Sequence, residues 1–181
     1  MKELSLHILD IIQNSVNAGA SIIEIEIEEE EKEDIFRFSV KDNGCGMSAD
    51  FLRKVKDPFT TTRTTRKTGL GIPLLEAAAV QCGGRLDIVS EPGKGTAVTA
   101  VFQNSHIDRA PLGDMAQTMV TVISGSPEID FLYTHIKNGQ SFVFQTEDLR
   151  RVLQGVPLDT PEIIGWIEEA VREGLAEIQV K

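Results

Sequence analysis

The sequence lacks the long apolar runs and the paired cysteines that mark several classes of protein. No window approaches the ~18 continuous apolar residues of a membrane span, and residues 1–10 lack the basic region and apolar run of a signal peptide. The two cysteines, Cys45 and Cys82, form neither a CxxC pair nor a metal-ligand pattern. We therefore expect no membrane segment, no disulfide framework and a cytoplasmic location.

Positive charge is also scarce. The chain has 18 Lys and Arg against 28 Asp and Glu, a formal net charge of -10. Nucleic-acid binding depends on clustered basic side chains, so this balance argues against a nucleic-acid partner. The 181 residues, 41% of them hydrophobic, can build a real core, and their number fits one compact domain with a smaller appendage.

The N-terminal segment predicts a helix with one polar side. Over residues 4–18, apolar side chains gather on one face, while Asp10, Asn14 and Asn17 recur at i, i+4 and i+7 on the other. Residues 21–28 then alternate strictly, which predicts a half-buried strand. The acidic run 28–34 predicts a solvated hairpin tip, because charge runs usually stay in water.

A second alternating strand, residues 35–40, leads into residues 42–47, which read Asp-Asn-Gly-Cys-Gly-Met. Alone, this motif is typical of an ordinary turn. Ser48 is a candidate N-cap for a short helix to Val55, and residues 57–68 have the composition of a mobile surface loop. A helix and two strands follow, predicted over residues 72–81, 85–90 and 96–102.

After Asn104 the pattern changes to a small α+β unit. We predict a linker over residues 105–113, a strand over 118–123 and a hairpin over 131–145 that turns at Asn138-Gly139. A helix capped by Thr146 is predicted over residues 146–155, a helix opened by Thr160-Pro161 over 160–174, and a last strand over 177–180. This unit is too short to bury much surface alone, so we expect it to pack on the first domain or on a partner.

Taken together, the motifs of the first 104 residues resemble the ATP-binding domain shared by DNA gyrase, the heat-shock chaperone ATPase, histidine kinases and MutL. The resemblance implies an α+β fold, with a two-layer α/β sandwich of the Bergerat type in residues 1–104 and a small C-terminal α+β extension in residues 105–181. Residues 10–20 resemble the family's N-box, and Asn14 falls on the asparagine that holds Mg²⁺. A carboxamide oxygen is a hard neutral ligand suited to that ion.

The glycine motifs match the family's remaining boxes. Asp42 falls on the residue that accepts a hydrogen bond from the adenine amine, and residues 58–62 and 68–72 resemble the segments that bracket the ATP lid. Arg63 and its neighbours in the lid either reach the phosphates or remain solvated. The resemblance implies ATP and Mg²⁺ as cofactors and these ATP-binding residues: Asn14, Asn17, Asp42, Gly44, Gly46, Met47, Arg66, Lys67, Thr68, Gly69, Leu70, Gly71 and Thr96.

Asp10 departs from the family pattern, because ATP-hydrolysing members usually carry a catalytic Glu at this position. Asp10 is the candidate catalytic residue, but its carboxylate lies one methylene further back, so slow hydrolysis is expected. Because the N-box begins so early, we expect no phosphoacceptor helical domain before it. His7, His106 and His135 also lack the sequence context of a phosphoacceptor histidine.

Two classes of function stay open. The first is a stand-alone histidine-kinase-like or anti-sigma-like ATPase or kinase that acts on a separate protein. The second is an ATP-gated protein-binding switch with little turnover. A DNA-repair role by analogy with MutL is disfavoured by the acidic charge. In either class, residues 105–181 are expected to bind a protein partner, and a homodimer is compatible with the sequence.

Overall fold

The computed structural model describes residues 2–55 and 71–179. Its elements, in chain order, are α1 (Leu4–Asn17), β1 (Ile22–Glu30), β2 (Ile35–Asp42), α2 (Ala49–Val55), α3 (Gly71–Gln81), β3 (Arg85–Glu91), β4 (Gly95–Gln103), α4 (Met115–Gly125), β5 (Asp130–Lys137), β6 (Gln140–Gln145), α5 (Thr146–Leu153) and α6 (Pro161–Gln179). The family-like boxes predicted over residues 58–62 and 68–70, together with Arg63, lie outside the described residues.

The strands form one mixed sheet in the order β3-β4-β2-β1-β5-β6. All neighbours pair antiparallel except β1 and β5, which are parallel. The β1–β2 register sets Glu24 opposite Lys41 and Glu28 opposite Arg37, and both pairs are within ion-pair distance. Opposite charges facing each other across two strands favour this register.

Helices cover one face of the sheet, and the other, which no described helix covers, is its open face. The alternation read from β1 is confirmed: Ile23, Ile25 and Ile27 are buried against the helical layer, and the intervening glutamates lie on the open face. The core formed by the helices and the covered face is one continuous cluster. The predicted two-layer α+β architecture is therefore confirmed.

The sheet continues past the predicted domain boundary at residue 104. That boundary follows the end of β4 directly, but β5 then pairs with β1 over eight residues, from Ile22↔Asp130 to Glu29↔Lys137. Residues 105–179 therefore pack on the first part of the chain, as expected for so small a unit. They also contact α1, whose Leu4 and Ser5 N–H groups donate to the carbonyls of Pro111 and Leu112, at 2.9 and 2.7 Å.

The strand predicted over residues 118–123 is wrong, because these residues belong to helix α4. The side chain of Asp114 accepts a hydrogen bond from the Gln117 N–H and caps the helix. Met119 and Ile123, one turn apart, are fully buried in the core. Packing of this apolar face outweighs the strand preference of the β-branched residues in the segment.

The last predicted strand, residues 177–180, is also wrong where the structure describes it, because α6 runs to Gln179. Gly174, read as the end of the helix, is a buried interior residue whose missing side chain leaves room for the ring of Phe142. The predicted cap at Thr146 differs as well. The Thr146 hydroxyl accepts a hydrogen bond from the Phe131 N–H, so it joins the α5 start to β5.

Other local predictions are confirmed. The Ser48 hydroxyl accepts a hydrogen bond from the Phe51 N–H at the start of α2. The β5–β6 hairpin turns at Asn138-Gly139, where both residues have positive φ. Among the described residues, no helix has both the length and the apolarity needed to cross a membrane.

Candidate functional site

A pocket of about 740 Å³ opens where α1, α2 and the start of α3 meet one end of the sheet. Its walls are mostly apolar, with a few polar groups supplied by α1, by the ends of β2 and β4, and by Ser48 and Lys54 at α2. The lining residues are Ile11, Asn14, Ser15, Asn17, Ala18, Asp42, Cys45, Gly46, Met47, Ser48, Phe51, Lys54, Val55, Ile72, Ile88, Thr96 and Val98. A large apolar cleft with few convergent polar groups is the usual form of a small-molecule site.

Asp42 is the buried anionic group of this pocket, with only 9% of its surface exposed. Its Oδ2 accepts a hydrogen bond from the Ser15 hydroxyl at 2.6 Å. Its Oδ1 accepts from the Gly44 N–H at 2.9 Å and from the Thr96 N–H at 3.3 Å. A carboxylate has about four acceptor positions, so these three donors hold it in place and leave about one position for a ligand donor.

Ser15 is a site residue that no sequence motif indicates. It follows Asn14 on α1, is 2% exposed, and joins the helix to the end of β2 through Asp42. A serine in a helix interior usually bonds to its own backbone or to water. The sequence therefore carried no local signal for this contact, which arises only when α1 packs across the strand.

A second small network surrounds Thr96, which lies opposite Asp42 in the β2–β4 register. The Thr96 and Ser90 hydroxyls lie 2.8 Å apart, and the Ser90 hydroxyl accepts a hydrogen bond from the Met47 N–H at 2.8 Å. Ser90 therefore connects β3 to the loop after β2. This serine was also missed from the sequence, where it lies in an ordinary strand pattern.

The glycines of this loop have close backbone neighbours. A methyl group on Gly44 would lie 2.9 Å from the Ala18 Cβ, and one on Gly46, where φ is +68°, would overlap the Glu91 carbonyl. The Cys45 N–H donates to the Ala18 carbonyl at 2.9 Å. The lack of side chains at Gly44 and Gly46 thus lets the loop pack tightly between α1 and the β3–β4 turn, which fixes one wall of the pocket.

Asn14 and Asn17 both line the pocket from α1, as their spacing predicts. The Asn14 carboxamide is half-buried and makes no hydrogen bond with another described residue. Asn17 is exposed and accepts a hydrogen bond from Gln13 at 3.4 Å. The Asn14 carboxamide is therefore more available than that of Asn17 to bind a metal ion or another ligand.

Asp10 lies one turn before Asn14, outside the residues that line the pocket. Its exposed carboxylate approaches the start of α3, because a methyl group on Gly71 would lie 3.4 Å from Asp10 Oδ2. A helix N-terminus presents unpaired N–H groups that bind anions. Asp10 and Gly71 thus lie close together and supply polar groups beside the apolar pocket.

Several predicted site residues have no described position. Arg66, Lys67, Thr68, Gly69 and Leu70 lie outside the described residues. Their assignment to the ATP site remains a prediction.

The apolar walls were not identified from the sequence. Ile11 of α1, Ile72 of α3 and Val98 of β4 are buried side chains that were not among the predicted ATP-binding residues. Ile88 is half-buried, and Phe51 is 49% exposed where it borders the pocket. No pattern in the sequence separates an apolar residue that lines a cavity from one that fills a core.

None of the three histidines lines the pocket. His7 is buried in α1, and desolvation lowers its pKa. His135 is buried between Glu29 and Tyr133, whose side chains lie 2.7 and 2.8 Å from its ring nitrogens. Hydrogen bonding to His135 lowers the pKa of Glu29. His7 and His135 are thus buried side chains, whereas His106 is half-buried.

Comparison with known families agrees with the motifs. The sequence model of the family described as "Histidine kinase-, DNA gyrase B-, and HSP90-like ATPase" matches residues 2–106. This segment holds α1 to β4 and includes every described residue that the sequence analysis assigned to the site.

Bacterial sensor kinases are among the similar proteins. The sensor protein kinase FleS of Pseudomonas aeruginosa is 35% identical over 105 residues, which cover 58% of this chain and 25% of the kinase. The signal transduction histidine-protein kinase AtoS of Escherichia coli is 33% identical over 96 residues, which cover 52% of this chain and 16% of the kinase. The chain therefore spans a quarter or less of the length of these relatives.

A solved structure of the Aquifex aeolicus MutL ATPase domain complexed with ADP also aligns with this chain. Its TM-score is 0.48 at 18% sequence identity, and the alignment covers 85% of this chain and 70% of the MutL domain.

Proposed function

Because the chain belongs to the family of histidine kinase-, DNA gyrase B- and HSP90-like ATPases, we propose that it binds Mg-ATP in the α1 pocket and acts on a separate partner protein. The proposed activity is that of a histidine-kinase-like or anti-sigma-like ATPase or kinase. The observation that carries the proposal is the buried Asp42 carboxylate, held by three donors at the wall of an apolar pocket.

Asp42 fits an adenine amine. Its free acceptor position would receive the exocyclic N–H of adenine, whereas guanine presents a carbonyl oxygen at the same place and would leave two acceptors facing each other. The apolar side chains of the pocket supply flat contacts for the rings of the base. We therefore expect adenine nucleotides to bind more tightly than guanine nucleotides.

The residues beside the pocket fit Mg²⁺ and the phosphates. Asn14 offers an unengaged carboxamide oxygen at the pocket wall, a suitable ligand for a hard ion that takes its other ligands from water and phosphate. When bound, Mg²⁺ would neutralise phosphate charge. The N–H groups at the start of α3 would contact phosphate oxygens, and the neighbouring Asp10 carboxylate would accept a proton from an attacking group.

The remaining parts of the proposal concern the whole chain. We propose that it works in the cytoplasm, where unpaired Cys45 and Cys82 stay reduced, and that residues 105–181 bind the partner protein. The alternative is an ATP-gated switch with little turnover, which is favoured by Asp10 in place of the longer Glu.

The first test follows the terminal phosphate. The protein is incubated with γ-labelled ATP and Mg²⁺, with and without extract from its own cells. Label on a second protein supports the kinase, free phosphate supports the ATPase, and nucleotide binding without either supports the switch. Absence of nucleotide binding would refute the proposal.

Variants of Asp42 and Asn14 test the site itself. Asp42→Asn should weaken ATP binding by about 10-fold to 150-fold, the loss of one hydrogen bond to a charged acceptor, whereas Asp87→Asn on exposed β3 should leave it unchanged. Asn14→Ala should weaken Mg-ATP more than metal-free ATP. Equal losses with and without Mg²⁺ would contradict the metal role of Asn14.

A further inference from the structure

The outer edge of β6 is one of the two edges of the sheet. Its hairpin with β5 turns on two residues of positive φ, a geometry in which the residues that flank the turn exchange hydrogen bonds. Because such pairs alternate along an antiparallel ladder, the backbone groups of Ser141 and Val143 point away from β5. Within residues 2–55 and 71–179, no group hydrogen-bonds to the backbone of either residue.

The β6 edge lacks the features that usually prevent strand pairing. Its six residues, Gln-Ser-Phe-Val-Phe-Gln, contain no charge and no proline. The opposite edge strand, β3, carries Arg85, Asp87 and Glu91. Charged side chains on an edge strand normally block association with another strand. In a chain with net charge -10, β6 is a strip whose own side chains set no like charges against a second copy.

The strand is also self-complementary. If two copies pair antiparallel about a two-fold axis at Val143, each Val143 faces Val143 of the second copy. Phe142 then faces Phe144 of the second copy on the helix-covered face, and Ser141 faces Gln145. A two-fold interface requires one patch to match itself. These pairs meet that requirement, because none of them sets two charged side chains against each other. Val143, 53% exposed on the open face, would become covered.

We propose that β6 is a homodimer interface, through which the sheets of two copies join into one continuous sheet. The outward N–H and carbonyl of each Val143 pair with those of Val143 in the second copy. This proposal does not depend on the nucleotide site, which lies at another part of the sheet and shares no residue with β6.

Sedimentation velocity on the full chain, across a concentration series, tests the proposal with a matched pair of variants. Val143→Lys sets two ammonium groups against each other at the axis and should raise the dimer dissociation constant by about 100-fold or more. Val89→Lys makes the same change on the other edge strand, at a valine that is 71% exposed, and should leave the dimer intact. A monomeric wild type, or a dimer insensitive to Val143→Lys, would overturn the proposal.

Cross-linking gives a readout that does not depend on tolerance of the lysine. Directly opposed Cα atoms in a hydrogen-bonded antiparallel pair lie ~5.5 Å apart, within disulfide range. In a Cys45→Ala background, Val143→Cys should form a covalent dimer under mild oxidation, and Val89→Cys should not. Equal cross-linking of the two variants would refute pairing through β6.

Discussion

The hydrogen bond from Ser15 to Asp42 should make a measurable contribution to the stability of the fold. Ser15→Ala removes the hydroxyl that donates to Asp42 Oδ2 at 2.6 Å and leaves that oxygen without its protein donor. Both side chains are largely buried at the pocket wall, so water from the pocket replaces the hydroxyl only in part. The Gly44 and Thr96 N–H groups still bond to Oδ1, so the carboxylate keeps its position.

Loss of a hydrogen bond to a charged group costs ~1.5–3 kcal/mol. With a denaturant dependence of ~2 kcal/mol/M, this loss lowers the urea midpoint by roughly 1 M. The free energy of ATP binding should change less than the free energy of unfolding. We expect a loss of affinity of about tenfold at most, because the two backbone donors still hold Asp42 at the pocket wall.

The assay is equilibrium urea unfolding of Ser15→Ala, Asp42→Asn and the double variant. Because the two side chains bond to each other, the two effects should be non-additive, with a coupling energy of ~1 kcal/mol or more. Ser39→Ala, on the open face of β2, is the control and should change stability by no more than ~0.5 kcal/mol. A Ser15→Ala effect no larger than the control, or strictly additive effects, would refute this reasoning.

Two further predictions concern helix α6 and the contact between β1 and β5. Gly165→Ala should stabilise the protein by ~0.5–1 kcal/mol, because no described atom lies within contact of the added methyl group. Gly174→Ala should destabilise it by ~1–3 kcal/mol, because the added methyl group would overlap the Phe142 ring. Urea unfolding measures both changes, and equal effects of the two variants would contradict this prediction. Hydrogen bonding to His135 lowers the pKa of Glu29 below 4.5, so its ionisation stabilises the fold above pH 4.5 and this contribution is lost as pH falls further. Glu29→Gln should therefore cost ~1 kcal/mol at pH 7 and progressively less in acid; a pH-independent difference would count against it.

Secondary structure was predictable where the sequence pattern has a single physical reading. The alternation of β1 and the Asn138-Gly139 turn each specify one structure. In residues 118–123, by contrast, β-branched residues favour a strand locally, and only the cap at Asp114 and the burial of one helical face decide for α4. Gly174 was predicted to end a helix, but it lies inside α6, where its missing side chain leaves room for Phe142 of β6. That contact is distant in sequence, so no local pattern indicates it.

The candidate site shows the same division. Asn14, Asn17 and Asp42 were predictable, because helical spacing and a strand end place them on the pocket. Ser15 and Ser90 were not, since their hydroxyls bond to residues 27 and 43 positions away. Contacts of this kind depend on how the helix, the strands and the loop pack together, and no local pattern records that packing.

The start of α1 connects the pocket to the C-terminal part of the chain. The helix that carries Asn14 has no side-chain cap, and its Leu4 and Ser5 N–H groups are instead satisfied by the carbonyls of Pro111 and Leu112. A protein that displaced this segment would release those N–H groups and loosen the helix at one wall of the pocket. By thermodynamic linkage, a partner that changes ATP affinity in this way must have its own affinity changed by ATP by the same factor.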